Sequence, residues 1–309
     1  MRVAWILLLT CIALPRPAVA DCATGEAVFK AAAPQVTRFR DYEIRLYRQA
    51  DCEAEPGSRV AAMEILQDGT RVHVETGYSF ALGYPLEQDQ PPDSVKAGVG
   101  ADFTGAGPGL LISEWSGGAH CCYTFHVFEL GAKFKALPAI PVLDADESAF
   151  VRRRGVEGLV LSTVDYSAFA YFPKDFADSP AGRVFLSFDG QAFRPNLGLM
   201  KTSAPRSGET AKCAALFRQS RSWKHSQPIG IWYYATDLIY TGNEAEAWRF
   251  LDAAWGGKPA DRQKYLDEYR SRLGKSVYHQ DLVRLQKTPP TVQSQVVDWT
   301  KHCFDYLQG

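Results

Sequence analysis

The sequence predicts an α+β protein in which a mostly antiparallel β domain precedes an α-helical domain. Short apolar strands and Asp-Gly turns fill the chain from about Val36 to Phe193. No long amphipathic helix separates these strands, which favours antiparallel over parallel pairing. After Pro205 the apolar residues repeat with a helical period instead. We therefore expect a signal peptide over residues 1–20, a β domain over 21–204 and a helical domain over 205–309.

The first 20 residues have the order of an export signal. Arg2 precedes the 12-residue apolar run Val3–Leu14, and Ala18-Val19-Ala20 supplies the small residues of a cleavage site. The run is shorter than the roughly 20 apolar residues that span a bilayer. Asp21 stands immediately before Cys22, where a lipoprotein would carry a small residue. We expect cleavage after Ala20 and a soluble periplasmic or secreted protein without a membrane anchor.

The charge of the chain excludes one class of partner. Removal of the signal takes away Arg2 and Arg16 but no acid, so 32 basic side chains face 35 acidic ones. No basic run is longer than three residues, and the near-neutral balance gives no footprint for nucleic acid.

The β domain is marked by two hairpins. The apolar segments Val60–Leu66 and Thr70–Thr76 flank Asp68-Gly69, a pair that suits a tight type I′ turn. Val184–Phe188 with Asp189-Gly190 repeats the pattern before Gln191–Phe193. Further short strands are predicted at Leu110–Ser113, Tyr123–Leu130 and Leu159–Ser162.

The helical domain is marked by start and stop residues. Asn243 with Glu246 has the spacing of a capping box, and Gly256 closes that helix. Pro259 in a first turn starts a second helix that runs to Leu273, before Gly274. Two more helices are predicted, one capped by Ser276 and running through Leu285, and a last one over Val292–Leu307.

A glycine-rich segment, Asp102–Glu114, carries a family resemblance. Its sequence, DFTGAGPGLLISE, resembles the turn and strand of FG-GAP or VCBS repeats, which build the blades of β-propellers. The resemblance covers about residues 100–165 and implies that the β domain contains propeller-like, FG-GAP-type units. Together with the cysteine cluster and helical tail described here, the arrangement also resembles a group of exported bacterial proteins, which implies no particular activity.

In many such repeats the loop holds calcium through several carboxylate and carbonyl oxygens. Asp102 and Thr104 match the first and third ligand positions, and Gly107 matches the turn glycine. Ala106 and Leu110 replace the other acidic ligands, so calcium is not expected. A second acidic stretch, with Asp144 and Asp146, lacks the turn glycine.

Six cysteines remain after Cys11 leaves with the signal, and an oxidising compartment favours disulfides. Six cysteines allow 15 connectivities. Proximity along the chain suggests the pairs Cys22–Cys52 and Cys213–Cys303. The adjacent Cys121 and Cys122 are then left over.

Cys121 and Cys122 lie in the segment SGGAHCCYTFH, where His120, Cys121, Cys122 and His126 fall within seven residues. Three interpretations stay open. Each cysteine pairs elsewhere in a structural disulfide, the two form a strained vicinal disulfide, or thiolates and imidazoles bind zinc or copper. We favour a structural disulfide role and predict no cofactor.

The loop Ser116–His126 is the predicted surface site. The candidate binding residues are His120 in the loop and Glu114, Trp115 and His126, which flank it at one end of the sheet, since loops that connect strands commonly carry binding sites. Trp115, Tyr123 and Phe125 form either an aromatic rim or, preferably, part of the core.

The sequence contains no nucleophile elbow, zinc-protease or phosphate-loop motif. We therefore expect a non-catalytic binding protein for a protein, peptide or glycan ligand. A metal-binding or thiol-redox protein that uses the His-Cys-Cys cluster is the first alternative. A hydrolase with acids assembled from distant parts of the chain is the second.

Overall fold

A computed structural model describes residues 22–49, 52, 54–85, 94–95, 98–118, 122–143, 147–176, 178–220, 223, 228–291, 294 and 296–307. The predicted α+β class is confirmed. Three antiparallel sheets come first and a helical region follows. Each sheet is built from consecutive strands, and no propeller is detected in the part of the chain that the structure describes.

The first sheet follows a short helix, α1 (Val28–Ala31), and has its four strands in chain order. The predicted hairpin at Asp68-Gly69 is confirmed, because both residues take the positive φ angles, 48° and 77°, of a tight turn. The strands are β1 (Pro34–Phe39), β2 (Tyr42–Arg48), β3 (Ala61–Gln67) and β4 (Thr70–Gly77).

The second sheet packs on the first through an apolar layer that includes Ile44 and Met63 from one sheet and Ile112 and Phe128 from the other. Its order is β5-β6-β7-β8, and β9 also pairs with β7. The strands are β5 (Ser79–Leu82), β6 (Gly109–Trp115), β7 (Tyr123–Leu130), β8 (Phe134–Ala136) and β9 (Ile140–Leu143).

The third sheet contains the second predicted hairpin, but its turn differs from that of the first hairpin. Only Gly190 has a positive φ, and Asp189 instead accepts hydrogen bonds from the backbone N–H groups of Gln191 and Ala192, both at 2.8 Å. These bonds lower the pKa of Asp189. The strands, in order across the sheet, are β10 (Ala149–Val151), β11 (Val160–Asp165), β12 (Gly182–Phe188) and β13 (Phe193–Pro195).

The helical region begins after β13. None of the helices that the structure describes is long and apolar enough to cross a membrane. The helices are α2 (Leu197–Met200), α3 (Glu209–Arg218), α4 (Gly230–Tyr240), α5 (Glu244–Ala254), α6 (Pro259–Leu273), α7 (His279–Lys287) and α8 (Trp299–Leu307).

Helix α6 has the predicted bounds, and the two predicted caps form only in part. Asn243 takes the N-cap position of α5, which begins at Glu244, but its side chain makes no capping bond and its amide donates to Thr202 and Thr241. Helix α7 begins at His279, and the Ser276 hydroxyl before it accepts a hydrogen bond from the Tyr278 N–H at 3.0 Å and donates one to Asp165. In both cases the side chain also bonds a residue that is distant in sequence.

The last helix is shorter than predicted. It begins at Trp299 rather than at Val292, which lies outside the described residues. Asp298 fixes the start, because its Oδ1 accepts a hydrogen bond from the Lys301 N–H at 3.0 Å, the geometry of an N-cap.

One apolar core joins the second and third sheets to the helices. It contains Phe125 of β7, Phe150 of β10 and Trp232 of α4, all fully buried. Both predicted cysteine pairs are bonded. Cys22–Cys52 holds the first segment near the end of β2, and Cys213–Cys303 joins α3 to α8.

Candidate functional site

The predicted surface loop closes the β6–β7 hairpin. Trp115 and Tyr123 form the last strand pair. Beyond it, the Ser116 N–H donates to the Cys122 carbonyl at 3.1 Å, and the Cys122 N–H donates to the Ser116 hydroxyl at 3.2 Å. Gly117 has φ +90°, and a side chain there would meet the ring of Tyr78 at 2.9 Å. The loop is therefore pinned at its base.

His120 and Cys121 lie outside the described residues, as do Asp144 and Asp146. Cys122 is disulfide-bonded, and the other described cysteines form the two pairs given above. A bonded sulfur is not a thiolate ligand. Among the described residues, no group of three or more His, Cys, Asp or Glu side chains is arranged to hold a metal ion.

Glu114 and His126 pair with each other. The His126 Nε2 lies 2.8 Å from the Glu114 Oε2, and both side chains are largely buried between the first two sheets. The His126 ring also lies edge-on to Phe80, with 6.2 Å between ring centres. Because neighbouring residues on a strand point to opposite faces, Glu114 is separated from Trp115. The structure thus does not bring Glu114, Trp115 and His126 together on one surface.

The aromatic residues of the loop divide between rim and core. Phe125 is fully buried. Trp115 and Tyr123 are half-buried and line a cavity of about 520 Å³, which we call the inter-sheet cavity. Trp115 is held by its indole N–H, which donates to the Gly118 carbonyl at 3.1 Å. The residues that line the inter-sheet cavity are Ala33, Gln35, Leu46, Tyr47, Arg48, Ser79, Phe80, Ala81, Leu82, Pro85, Ser113, Trp115 and Tyr123.

One wall of the inter-sheet cavity is fixed by a buried charge network. The Tyr47 hydroxyl donates to the Glu64 Oε1 at 2.6 Å, and burial raises the pKa of Tyr47. Burial alone would raise the pKa of Glu64, but the hydrogen bonds from Tyr47, Arg45 and Arg71 outweigh it and lower this pKa. Glu64 stays ionised and holds Tyr47 in place.

Ser113 is the unusual residue of this cavity. It lies in the middle of β6, is 2% exposed, and its hydroxyl has no hydrogen-bond partner among the described residues. A buried hydroxyl without a partner costs about 1–3 kcal/mol. The sequence predicts a strand that ends at Ser113 but indicates no role for this residue. The sequence feature that points to Ser113 is a single hydroxyl residue directly after the apolar run Leu110–Ile112.

Strand β5 forms the floor of the same cavity. All four of its residues line the cavity, and all four are half-buried. In the described part of the chain, β5 pairs only with β6, so it is an edge strand. Ala81 lies directly opposite Ser113 in this pairing. An edge strand presents backbone N–H and C=O groups that another chain can pair with.

The glycine-rich loop uses its acid for its own backbone. The Asp102 Oδ1 accepts hydrogen bonds from the N–H groups of Gly105 at 2.7 Å and Gly107 at 3.2 Å, and the Thr104 hydroxyl accepts one from Ala106. Asp102 and Thr104, the two residues that match calcium-ligand positions, therefore accept backbone hydrogen bonds that form the turn.

Comparisons of the chain with protein-family models, with curated proteins and with solved structures found no match.

Proposed function

We propose that this protein is an exported, non-catalytic binding protein that takes an extended peptide segment along β5. The observation that carries the proposal is an edge strand whose four residues all line one cavity of about 520 Å³. A peptide strand added to such an edge gains main-chain hydrogen bonds, and its alternate side chains enter the adjoining pocket.

The cavity favours an apolar anchor side chain. Leu46, Phe80 and Leu82 supply aliphatic and aromatic surface, and Trp115 covers the end beside the pinned loop. Ser113 adds one buried hydroxyl opposite Ala81, which suits a peptide carbonyl or a polar atom on the anchor. Aromatic and aliphatic contacts with a few placed polar groups are typical of ligand pockets.

We also propose that the protein is exported and that its sheets are blade-like units. The order of the first 20 residues and the two disulfides favour cleavage after Ala20 and a periplasmic or secreted protein. Three successive sheets of consecutive antiparallel strands favour an interpretation as blade-like, FG-GAP-type units.

A peptide array tests the proposal. Residues 21–309 are purified without reductant and applied to an array of short peptides that vary in one central apolar residue. We expect a subset with an aromatic or branched aliphatic anchor to bind. Hydrogen exchange of the complex should then show slower exchange of amides in Ser79–Leu82, because the added strand protects them.

Two variants locate the site. Ala81→Leu fills the space opposite Ser113 and should abolish binding, while Val74→Leu makes a matched change on the exposed edge strand β4 and should leave binding intact. Ser113→Ala should weaken binding without lowering the stability of the free protein, because the lost hydroxyl has no hydrogen-bond partner among the described residues. Absence of any bound peptide, or unchanged exchange in β5 on binding, refutes the proposal.

A thiol-redox function is a second candidate, because Cys122 is disulfide-bonded immediately beside Tyr123 of the cavity. Peptide mapping after mild reduction tests it. Selective alkylation of Cys121 and Cys122, with Cys22–Cys52 and Cys213–Cys303 intact, would support a redox role. Resistance of the Cys122 disulfide and of both described pairs to reduction would exclude it.

A further inference from the structure

A second cavity, of about 630 Å³, lies between the third sheet and the helical region. We call it the sheet–helix cavity. Residues of β11 and β12 form one wall, and residues of α4 and α8 form the other. It shares no lining residue with the inter-sheet cavity. Its volume lies within the range of small-molecule sites, about 300–1,000 Å³.

Asp237 of α4 organises the helical wall. Its Oδ2 accepts hydrogen bonds from the His302 Nε2 and the Tyr306 hydroxyl of α8, both at 2.5 Å. All three residues line the cavity. Because both bonds end on Oδ2, and no described residue is hydrogen-bonded to Oδ1, Oδ1 is left as an acceptor for a ligand. Burial would lower the pKa of His302, but the bond to Asp237 outweighs it and raises this pKa.

The same wall presents a pair of stacked rings. Tyr233 lies parallel to Tyr306, with 5.4 Å between ring centres and 21° between planes. Burial, followed by the charge of Asp237, raises the pKa of Tyr306, so its hydroxyl stays protonated and continues to donate. Neutral phenol rings of this kind offer flat apolar faces with polar groups at their edges.

Paired polar and charged groups stand on both walls of the cavity. On the sheet side the Arg183 guanidinium pairs with Glu147 at 2.9 Å, and on the helix side His302 faces Asp237. Hydrogen-bond acceptors and donors are therefore present on both walls among the described lining residues. Hydroxyl groups both donate and accept hydrogen bonds, so a polyhydroxylated ligand matches this mixture better than an anion or a cation does.

We infer that the sheet–helix cavity is a binding site for a neutral saccharide of one or two rings. The stacked Tyr233 and Tyr306 cover the apolar face of a sugar ring. The carboxylate of Asp237, with the charged groups of the opposite wall, bonds its hydroxyls. This site is separate from the β5 edge and takes a ligand of different chemistry.

Isothermal titration calorimetry tests the inference with residues 21–309, intact disulfides, and four probes: glucose, N-acetylglucosamine, maltose and chitobiose. We expect at least one to bind saturably. Asp237→Asn replaces one carboxylate oxygen by an amide and should weaken that binding by about tenfold or more, because hydrogen bonds from the sugar hydroxyls to a charged carboxylate are stronger than those to a neutral amide.

Tyr233→Ala removes a ring of the stack without changing Asp237 and should weaken the binding of the same sugar. This second variant keeps the test valid if Asp237→Asn fails to fold, as judged by circular dichroism. Asp305→Asn is the matched control, because Asp305 is an exposed residue of α8 that pairs with Lys301 and does not line the cavity.

Failure of all four sugars to bind, or an affinity unchanged in both Asp237→Asn and Tyr233→Ala, overturns the inference. The variant Ala81→Leu separates the two proposals. It should abolish peptide binding at β5 and leave the sugar affinity unchanged, and loss of sugar binding in this variant would place the sugar elsewhere.

Discussion

The buried carboxylate of Asp165 is expected to be the strongest polar link between the third sheet and the helices. It ends β11 and is 2% exposed. Its Oδ2 accepts hydrogen bonds from the Tyr240 hydroxyl of α4 at 2.6 Å and from the Ser276 hydroxyl before α7 at 2.5 Å. Its Oδ1 accepts two more from Ser167, from the N–H at 2.8 Å and the hydroxyl at 2.5 Å.

The substitution Asp165→Ala removes the acceptor of all four bonds. Tyr240 and Ser276 are both buried, so water does not readily replace the lost partner, and each unsatisfied group costs about 1–3 kcal/mol. The weaker contact between these two hydroxyls, 3.4 Å, offsets a part of this cost. Relief from burying a carboxylate offsets another part. We expect a net loss of about 3–4 kcal/mol in the free energy of unfolding.

Urea unfolding, followed by circular dichroism, measures this loss. Tyr240→Phe removes a single donor and should cost about 1–2 kcal/mol. The double variant Asp165→Ala with Tyr240→Phe should cost less than the sum of the two single changes, because both remove the same hydrogen bond. A loss below about 1 kcal/mol for Asp165→Ala, or strict additivity in the cycle, would refute this account of the interface.

Three further outcomes are expected. Replacing Cys213 and Cys303 by serine opens a loop of 90 residues and should lower the free energy of unfolding by about 4–5 kcal/mol, measured in urea; an unchanged midpoint would contradict this. Burial lowers the pKa of His73 in the folded protein. As the pH drops below about 6.5, His73 is therefore protonated more readily in the unfolded chain than in the folded protein, and the free energy of unfolding should fall. His73→Gln should flatten this part of the pH profile, and an unchanged slope would exclude His73 as its source. Gly182→Ala places a methyl group against the ring of Tyr240 and should lower the melting temperature through a loss of about 1–3 kcal/mol, whereas a neutral result would show that the sheet and α4 separate easily.

Local patterns in the sequence determined much of the fold. The Asp68-Gly69 hairpin, the bounds Tyr123–Leu130 of β7 and the bounds Pro259–Leu273 of α6 follow from turn chemistry, alternation and helix signals within a few residues. The two cysteine pairs followed from their order along the chain. Each of these features depends on neighbours in sequence, so one chain is enough to reveal it.

The same local rules failed where a distant group competed. Asn243 has the residue type of a helix cap, but its side chain donates to Thr202 and makes no capping bond. The Ser276 hydroxyl accepts a local bond from Tyr278 but also donates to Asp165, and α7 begins only at His279. The candidate surface also divided, because strand alternation put Glu114 and Trp115 on opposite faces once the sheets had stacked. Sequence patterns show which face of an element is apolar but not what that face meets.

The two cavities were decided by tertiary structure alone. Asp237 meets His302 and Tyr306 across 65 and 69 residues of chain, and Ser113 lies opposite Ala81 only because β5 and β6 pair. No spacing of residues in the sequence predicts these contacts. They depend on how sheets and helices are placed against one another, and this placement is set by the packing of the whole core rather than by any segment within it.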